Sequence, residues 1–272
     1  LWLVCAIVWP IPAEAAELKA KSLETFKRYV RLTEARIAGE LERPETFLYV
    51  DQLPPKQREA AYALLKSGGI YIAKLATLEN GKPVEDSDCL IHHWVGVVFV
   101  PGANLERALG LLQDYNRHAE IYAPEVNRSR LIARNGDHFQ TSVRFVKKKV
   151  ITVVTDTDHE IQYFRLDNAR AHSRTYTTRV QQVENHGKPD ERLLPPGKDD
   201  GFLWQLYTYW RLHQKDGGVY IQCESLTLTR DLPPLVGPLI RPFVQSVPRE
   251  SLDFTLRTTR TWLVRQAGKP AG

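Results

Sequence analysis

Between residues 126 and 229 the chain is punctuated like an antiparallel sheet, and this limits its fold more than any other feature. Short stretches rich in Val, Ile, Thr, Tyr and Phe recur, separated by Asn135-Gly136, the Lys147-Lys148-Lys149 run and Asp216-Gly217-Gly218. Asn-Gly and Asp-Gly tolerate the positive φ of two-residue hairpin turns, so each predicts a reversal onto a neighbouring strand. Strands are predicted over residues 126–134, 138–146, 150–157, 161–166, 171–183, 203–212 and 218–229. A polar loop containing Gly and Pro fills residues 185–200. An earlier pair, residues 70–78 and 89–100, flanks Asn80-Gly81 and predicts a further hairpin.

Helical spacing appears only outside this block. Leu23, Phe26, Val30 and Ile37 mark a helix over residues 17–41, followed by a short extended piece at 47–50. Pro54-Pro55 opens a second helix that runs to about Lys66 and stops at Gly68-Gly69. Asn104 caps a third, through about Tyr115. A last helix, residues 249–266, carries Leu252, Leu256, Thr259 and Leu263 as one stripe. Residues 233–248, broken by prolines, predict no regular element; they read as a packed connector, a gate at a cavity mouth or a surface touching membrane. Strands grouped between helices imply an α+β fold with an antiparallel sheet.

Composition removes several classes. With 43% hydrophobic and 25% charged residues the chain reads as globular rather than disordered. The net charge of +5 comes from dispersed bases, so no nucleic-acid face is expected. No apolar run approaches the ~18 residues of a membrane-spanning helix. Residues 1–15, an apolar run followed by Ala13-Glu14-Ala15, read as a secretory signal peptide, with a secreted or periplasmic location; a buried N-terminal element fits the same run. In an oxidising compartment Cys89 and Cys223 either pair or lie buried apart.

Several stretches resemble a known superfamily: Ile91-His92-His93-Trp94-Val95-Gly96, Gln113-Asp114-Tyr115, Tyr122-Ala123-Pro124-Glu125-Val126, Gly201-Phe202-Leu203-Trp204, Tyr209-Trp210-Arg211, Asp216-Gly217-Gly218-Val219-Tyr220, Cys223-Glu224-Ser225 and Pro248-Arg249-Glu250-Ser251-Leu252. They look like a bacterial START-like family of unassigned function within the START and polyketide-cyclase-like (SRPBCC, Bet v 1-like) superfamily. The resemblance implies a helix-grip fold: a curved antiparallel sheet around a long C-terminal helix, with a cavity between them. It divides the chain into a signal peptide (1–15), N-terminal helices packed on the domain (16–68), a START-like domain (69–267) and a tail (268–272). The superfamily includes lipid carriers, hormone receptors and enzymes, so it fixes fold more than activity.

The strand faces point the same way. Phe139, Thr141, Val143 and Phe145 share a face, with His138, Gln140, Ser142 and Arg144 on the other. Ile151, Val153 and Ile161 share a parity, as do Trp204, Leu206 and Trp210. Such faces mix hydroxyls with apolar groups and suit a lined pocket, although a filled core fits them too. The expected ligand-binding residues are Phe139, Thr141, Val143, Phe145, Ile151, Val153, Tyr163, Trp204, Trp210, Glu224, Leu252 and Leu256. The expected partner is a hydrophobic small molecule or lipid, with transient membrane contact, no cofactor and no metal.

Reactive groupings are sparse. His92 and His93 point to opposite sides of a strand, so both cannot readily hold one metal. Asp156, Asp158 and Glu160 share a face that suits a hard cation or plain solvation. Ser225 and Ser251 lack a neighbouring base, and no catalytic residue is assigned. Glu224, with Arg230 and Arg179, reads as a buried ion network or a headgroup site. Two alternatives stay open: a polyketide-cyclase or aromatase-type enzyme using His92 or His93, Glu224 or Arg144, and a closed-core interaction protein.

Overall fold

In the computed structural model, the turn signals mark strand reversals. Gly136 has φ 58°, and Asp216 and Gly217 have φ 56° and 74°, so the chain doubles back where Asn-Gly and Asp-Gly predict. The structure describes residues 18, 20–85, 89–149, 151–195, 197–230 and 237–267, with only the backbone at 237–244 and 267. The expected signal peptide and tail lie outside them.

Helix α1 (Ala20–Leu41) and α2 (Pro55–Lys66) come first, then strand β1 (Tyr71–Lys74), a two-residue ribbon of β2 (Leu78–Glu79) and β3 (Lys82–Pro83), and β4 (Cys89–Pro101). After α3 (Leu105–Gln113) and the short α4 (His118–Ile121) run β5 (Val126–Asn135), β6 (His138–Lys148), β7 (Thr152–Arg165), β8 (Arg170–Glu184), β9 (Arg192–Leu193), β10 (Gln205–Lys215) and β11 (Gly218–Arg230). The last element is α5 (Gly237–Ala267). All pairings are antiparallel, in the order β1-β4-β11-β10-β8-β7-β6-β5, with β9 beside β8. This is the α+β helix-grip arrangement: N-terminal helices, a large sheet and a long C-terminal helix against it.

Four local expectations are corrected. Asn80-Gly81 turns only the β2–β3 ribbon, while β1 pairs with β4 from farther along the chain. Residues 47–50 bend from one 3₁₀ turn (Pro44–Thr46) into another (Tyr49–Gln52) rather than forming an extended piece: Phe47, Leu48 and Val50 are all buried together, and Asp51 Oδ2 accepts from the Leu48 amide at 2.9 Å. The two strands expected across 150–166 are one, β7; its pairing with β8 slips at Thr178, which leaves that residue as a bulge on β8 while β7 keeps a single parity. Helix α5 begins at Gly237, twelve residues ahead of the expected start. Pro238 sits in its first turn, where a missing N–H costs nothing, and Pro242 and Pro248 each remove one internal hydrogen bond. Residues 231–236 lie outside the described residues.

Each face of the sheet has its own cover. On one, α5 lays Leu252, Leu256, Thr259 and Leu263, all buried, against β4 and β11. Gly96 on β4 makes this approach feasible: a Cβ there would stand 2.4 Å from Leu256 Cδ1. On the other face α1 buries Phe26, Tyr29, Val30 and Ile37 against Tyr209, Leu226 and Leu228. Cys89 lies opposite Arg230 and Cys223 opposite Gly96, seven positions along the same ladder, roughly 23 Å apart. These two thiols do not bond each other.

Candidate functional site

Alternation along β6, β7, β10 and β11 builds one wall of a cavity of about 300 Å³ between the sheet and α5. From β6 come Thr141, Val143 and Phe145; from β7, Val153, Thr155, His159, Ile161 and Tyr163. Leu206, Thr208 and Trp210 of β10 continue it, followed by Cys223, Ser225, Thr227 and Thr229 of β11. Leu252, Phe254 and Thr255 of α5 close the far side. β-Branched threonines serve the strand and present both a methyl and a hydroxyl inward.

Of the twelve residues expected from the sequence, the fold brings Thr141, Val143, Phe145, Val153, Tyr163, Trp210 and Leu252 to this lining. Five lie elsewhere. Phe139 is core, its ring 5.5 Å from that of Tyr115 and 5.4 Å from that of Tyr163. Leu256 is spent on the contact at Gly96. Ile151 precedes β7 in a bend, where strand parity does not apply. Trp204 likewise precedes β10; it packs in the α1 cluster, with Nε1 donating to Asp199 at 3.2 Å, and Phe202 and Leu203 face the cavity instead.

Glu224 is the fifth, and its displacement is the most informative. On β11 the odd residues face the cavity, so Glu224 faces α1. There its carboxylate, 1% exposed, accepts from His93 Nε2 at 2.7 Å and pairs with Arg36 of α1, with Arg211 at 4.0 Å. Arg36 and Arg211 also share Glu40 at 2.8 and 2.6 Å, and Arg211 donates to the Phe47 carbonyl at 2.8 Å. Tyr29 Oη accepts from the Thr77 amide at 2.8 Å and lies 3.0 Å from His93 Nδ1, to which it can donate. Burial alone would raise the Glu224 pKa, but the His93 bond and the Arg36 and Arg211 charges hold it down at about 2. This network ties α1 to the sheet. Arg230 and Arg179, its expected members, bond instead to the Asp200 carbonyl and to Asp158.

The remaining sequence candidates separate by face. His92 lies on the α5 side, 3.0 Å from Thr229 Oγ1, while His93 serves the α1 side. Arg144 is on the face opposite Val143 and is held by Asp156 (2.6 Å) and Glu191 (2.5 Å). Asp156 is thus a buried partner of Arg144 and Arg128 rather than a solvated carboxylate, and Asp158 pairs with Arg179. Among the described residues no group of three His, Cys, Asp or Glu side chains is placed to hold a metal. Lys147, at the cavity edge, pairs with Glu125, and Lys149 reaches α5 at Ser246 (3.0 Å) and Glu250 (2.5 Å).

Among the lining groups that escaped the sequence reading are two histidines, His118 and His159. Burial holds each pKa down to about 4, so both rings are neutral at pH 7. Burial also pushes the Cys223 thiol and the Tyr115 and Tyr163 phenols up, and these two phenols bond each other at 2.8 Å. Apart from the Lys147–Glu125 pair, the described lining therefore presents a wall without net charge.

No family model matches the chain, and no curated protein matches its sequence. Solved structures do resemble it. TTHA0849 of Thermus thermophilus is 19% identical, with 64% of this chain and 98% of that one covered at a TM-score of 0.45. A STAR-related lipid transfer protein of Xanthomonas axonopodis is 16% identical, covering 72% and 98% at 0.45. The Zhui aromatase/cyclase of Streptomyces sp. R1128 is 12% identical, covering 67% and 99% at 0.45.

Proposed function

We propose that this protein is a START-like carrier that takes up a hydrophobic small molecule or lipid between its sheet and α5. The observation that supports this most is the cavity itself, about 300 Å³ and walled by apolar groups and neutral hydroxyls. That volume is at the lower end of the ~300–1,000 Å³ of small-molecule sites. A ligand burying on the order of 200 Å² of apolar surface gains about 5 kcal/mol before ordering costs. Carriage is favoured over turnover because the lining histidines titrate near 4, far from the neutral range in which a general acid or base works best. A secreted or periplasmic location is proposed on residues 1–15 alone.

The test is native mass spectrometry of the full chain purified from a lipid-rich host, followed by organic extraction. A co-purified apolar mass returned intact is the expected result. A bare chain that also fails to take up a fluorescent fatty probe would overturn the proposal, and a chemically altered mass would replace it with an enzyme of the cyclase type.

A further inference from the structure

One charged pair interrupts the cavity wall, and a ligand can reach it. Odd residues of β6 face the cavity, so Lys147 follows Thr141, Val143 and Phe145 inward, opposite Val153 of β7. Its ammonium pairs with Glu125, which precedes β5 and whose carbonyl accepts from the Val146 amide at 2.9 Å. Both side chains are 23% exposed, and they are the only charged groups in the described lining, His118 and His159 being neutral. The neighbouring charges are Lys149, just beyond β6, and Glu250 on α5, which pair with each other. Burial, helped by the Glu250 charge, raises the Glu125 pKa above its ordinary value even against the Lys147 bond. Glu125 is thus the member of the pair primed to be neutralised.

We infer that Lys147 is the headgroup site of the cavity and takes the carboxylate of an amphiphilic carboxylic acid in exchange for that of Glu125. This rests on the carrier reading and narrows it to a ligand class. The acid enters neutral, its chain among the apolar lining. Its O–H bond breaks, the proton passes to a Glu125 oxygen, and the ligand carboxylate replaces Glu125 at Lys147 Nζ. One carboxylate is traded for another, so the lining keeps its net charge and no ion is left buried alone. An alcohol has no such exchange to offer and must compete with an intact ion pair. An ammonium would instead set two cations at one carboxylate.

Decanoate, 1-decanol and decylammonium, titrated into the full chain by calorimetry, test this. Wild type should take up one proton from the buffer per decanoate bound, so decanoate affinity should fall about tenfold per unit between about pH 7 and 8.5 while that of decanol stays level. Carbon NMR of carboxyl-labelled decanoate on wild type should show the ionised form. That readout separates exchange from simple uptake of the neutral acid and needs no variant. Glu125→Gln should bind decanoate more tightly at about pH 8 and without proton uptake, and Lys147→Met should lose about tenfold in decanoate affinity. Decanoate binding without proton uptake, a protonated carboxyl on the bound ligand, or weaker binding of decanoate than of decylammonium at about pH 7 would overturn the exchange while leaving the cavity reading intact. So would decanol binding with no decanoate binding at all. Failure of all three probes to bind would overturn both.

Discussion

Neighbouring residues of β11 live in opposite environments. Cys223, Ser225, Thr227 and Thr229 face a cavity of neutral groups, whereas Gln222 and Glu224 face the other side, Gln222 accepting from the Tyr49 amide and Glu224 held by arginines and a histidine. One face keeps its charge out and leaves space; the other fills its space and pairs its charge. The difference teaches where each chemistry is tolerable. A buried ion network needs its charges paired, which α1 and the 3₁₀ turns supply, while a ligand site must leave space open.

Acid should separate the buried histidines from Glu224 most strongly. His92, His118 and His159 on the α5 side have folded pKa values near 4 against an ordinary 6.5, and so does His172 beside Arg211 on the other face, burial being the main cause. The unfolded chain takes up their protons first, so stability is full above 6.5 and falls as pH drops toward 4, by several kcal/mol in all on the order-of-magnitude scale of ~1.4 per unit. Glu224 behaves differently: its contribution is present above its ordinary 4.5 and is lost as pH falls from there to about 2. Urea midpoints measured across pH should show the first loss in wild type and in Glu224→Gln alike, and a larger second loss in wild type, since Glu191, Asp158 and Asp216 keep their lowered carboxyls in both. A single transition common to both would erase the distinction.

Glu224→Ala removes one of the two carboxylates shared by buried Arg211 and half-buried Arg36, leaving Glu40, and should cost about 3 kcal/mol, read as a melting point lowered by roughly 10 °C. Binding of apolar probes by the folded fraction should be unchanged. Leu256→Ala and Trp210→Ala test the α5 side. Leu256 is core and should lose about 2–5 kcal/mol of stability. Trp210, partly buried on the lining, should lose probe affinity several-fold with far-UV dichroism unchanged. Reversed effects would place the lining wrongly. The smallest effect is expected from Gly96→Ala, whose new methyl pushes Leu256 away at about 1–3 kcal/mol and should alter probe uptake without touching the α1 network.

Sequence reading succeeded where one face is wet and failed where both are buried. On β6 the alternation of Thr141, Val143 and Phe145 with Gln140, Ser142 and Arg144 announces the inner side, and three of its four expected residues reach the lining. In β11 every residue but Arg230 is buried, so period-two patterning cannot tell the side of Cys223 from that of Glu224. Arg36 and Arg211 lie 188 and 13 positions from Glu224 along the chain, and only the packing of α1 reveals them. His159 was hidden by the supposed break in β7. Read as one strand, odd positions 153 to 163 form a single row that includes it. The first turns of α5 were hidden by the prolines, since a helix that has other hydrogen bonds to spare survives the loss of two.

The two-sided character of β11 also governs what kinds of change this protein can absorb. Insertion or deletion of a single residue within Gly218–Arg230 would exchange the sides, turning Glu224 toward the cavity and Cys223 toward Arg36. No substitution nearby could undo that, because the fault would run the length of the strand. Residues 185–200, mostly loop, carry no such constraint, so length variation among descendants of this chain should collect there while β11 keeps its thirteen residues.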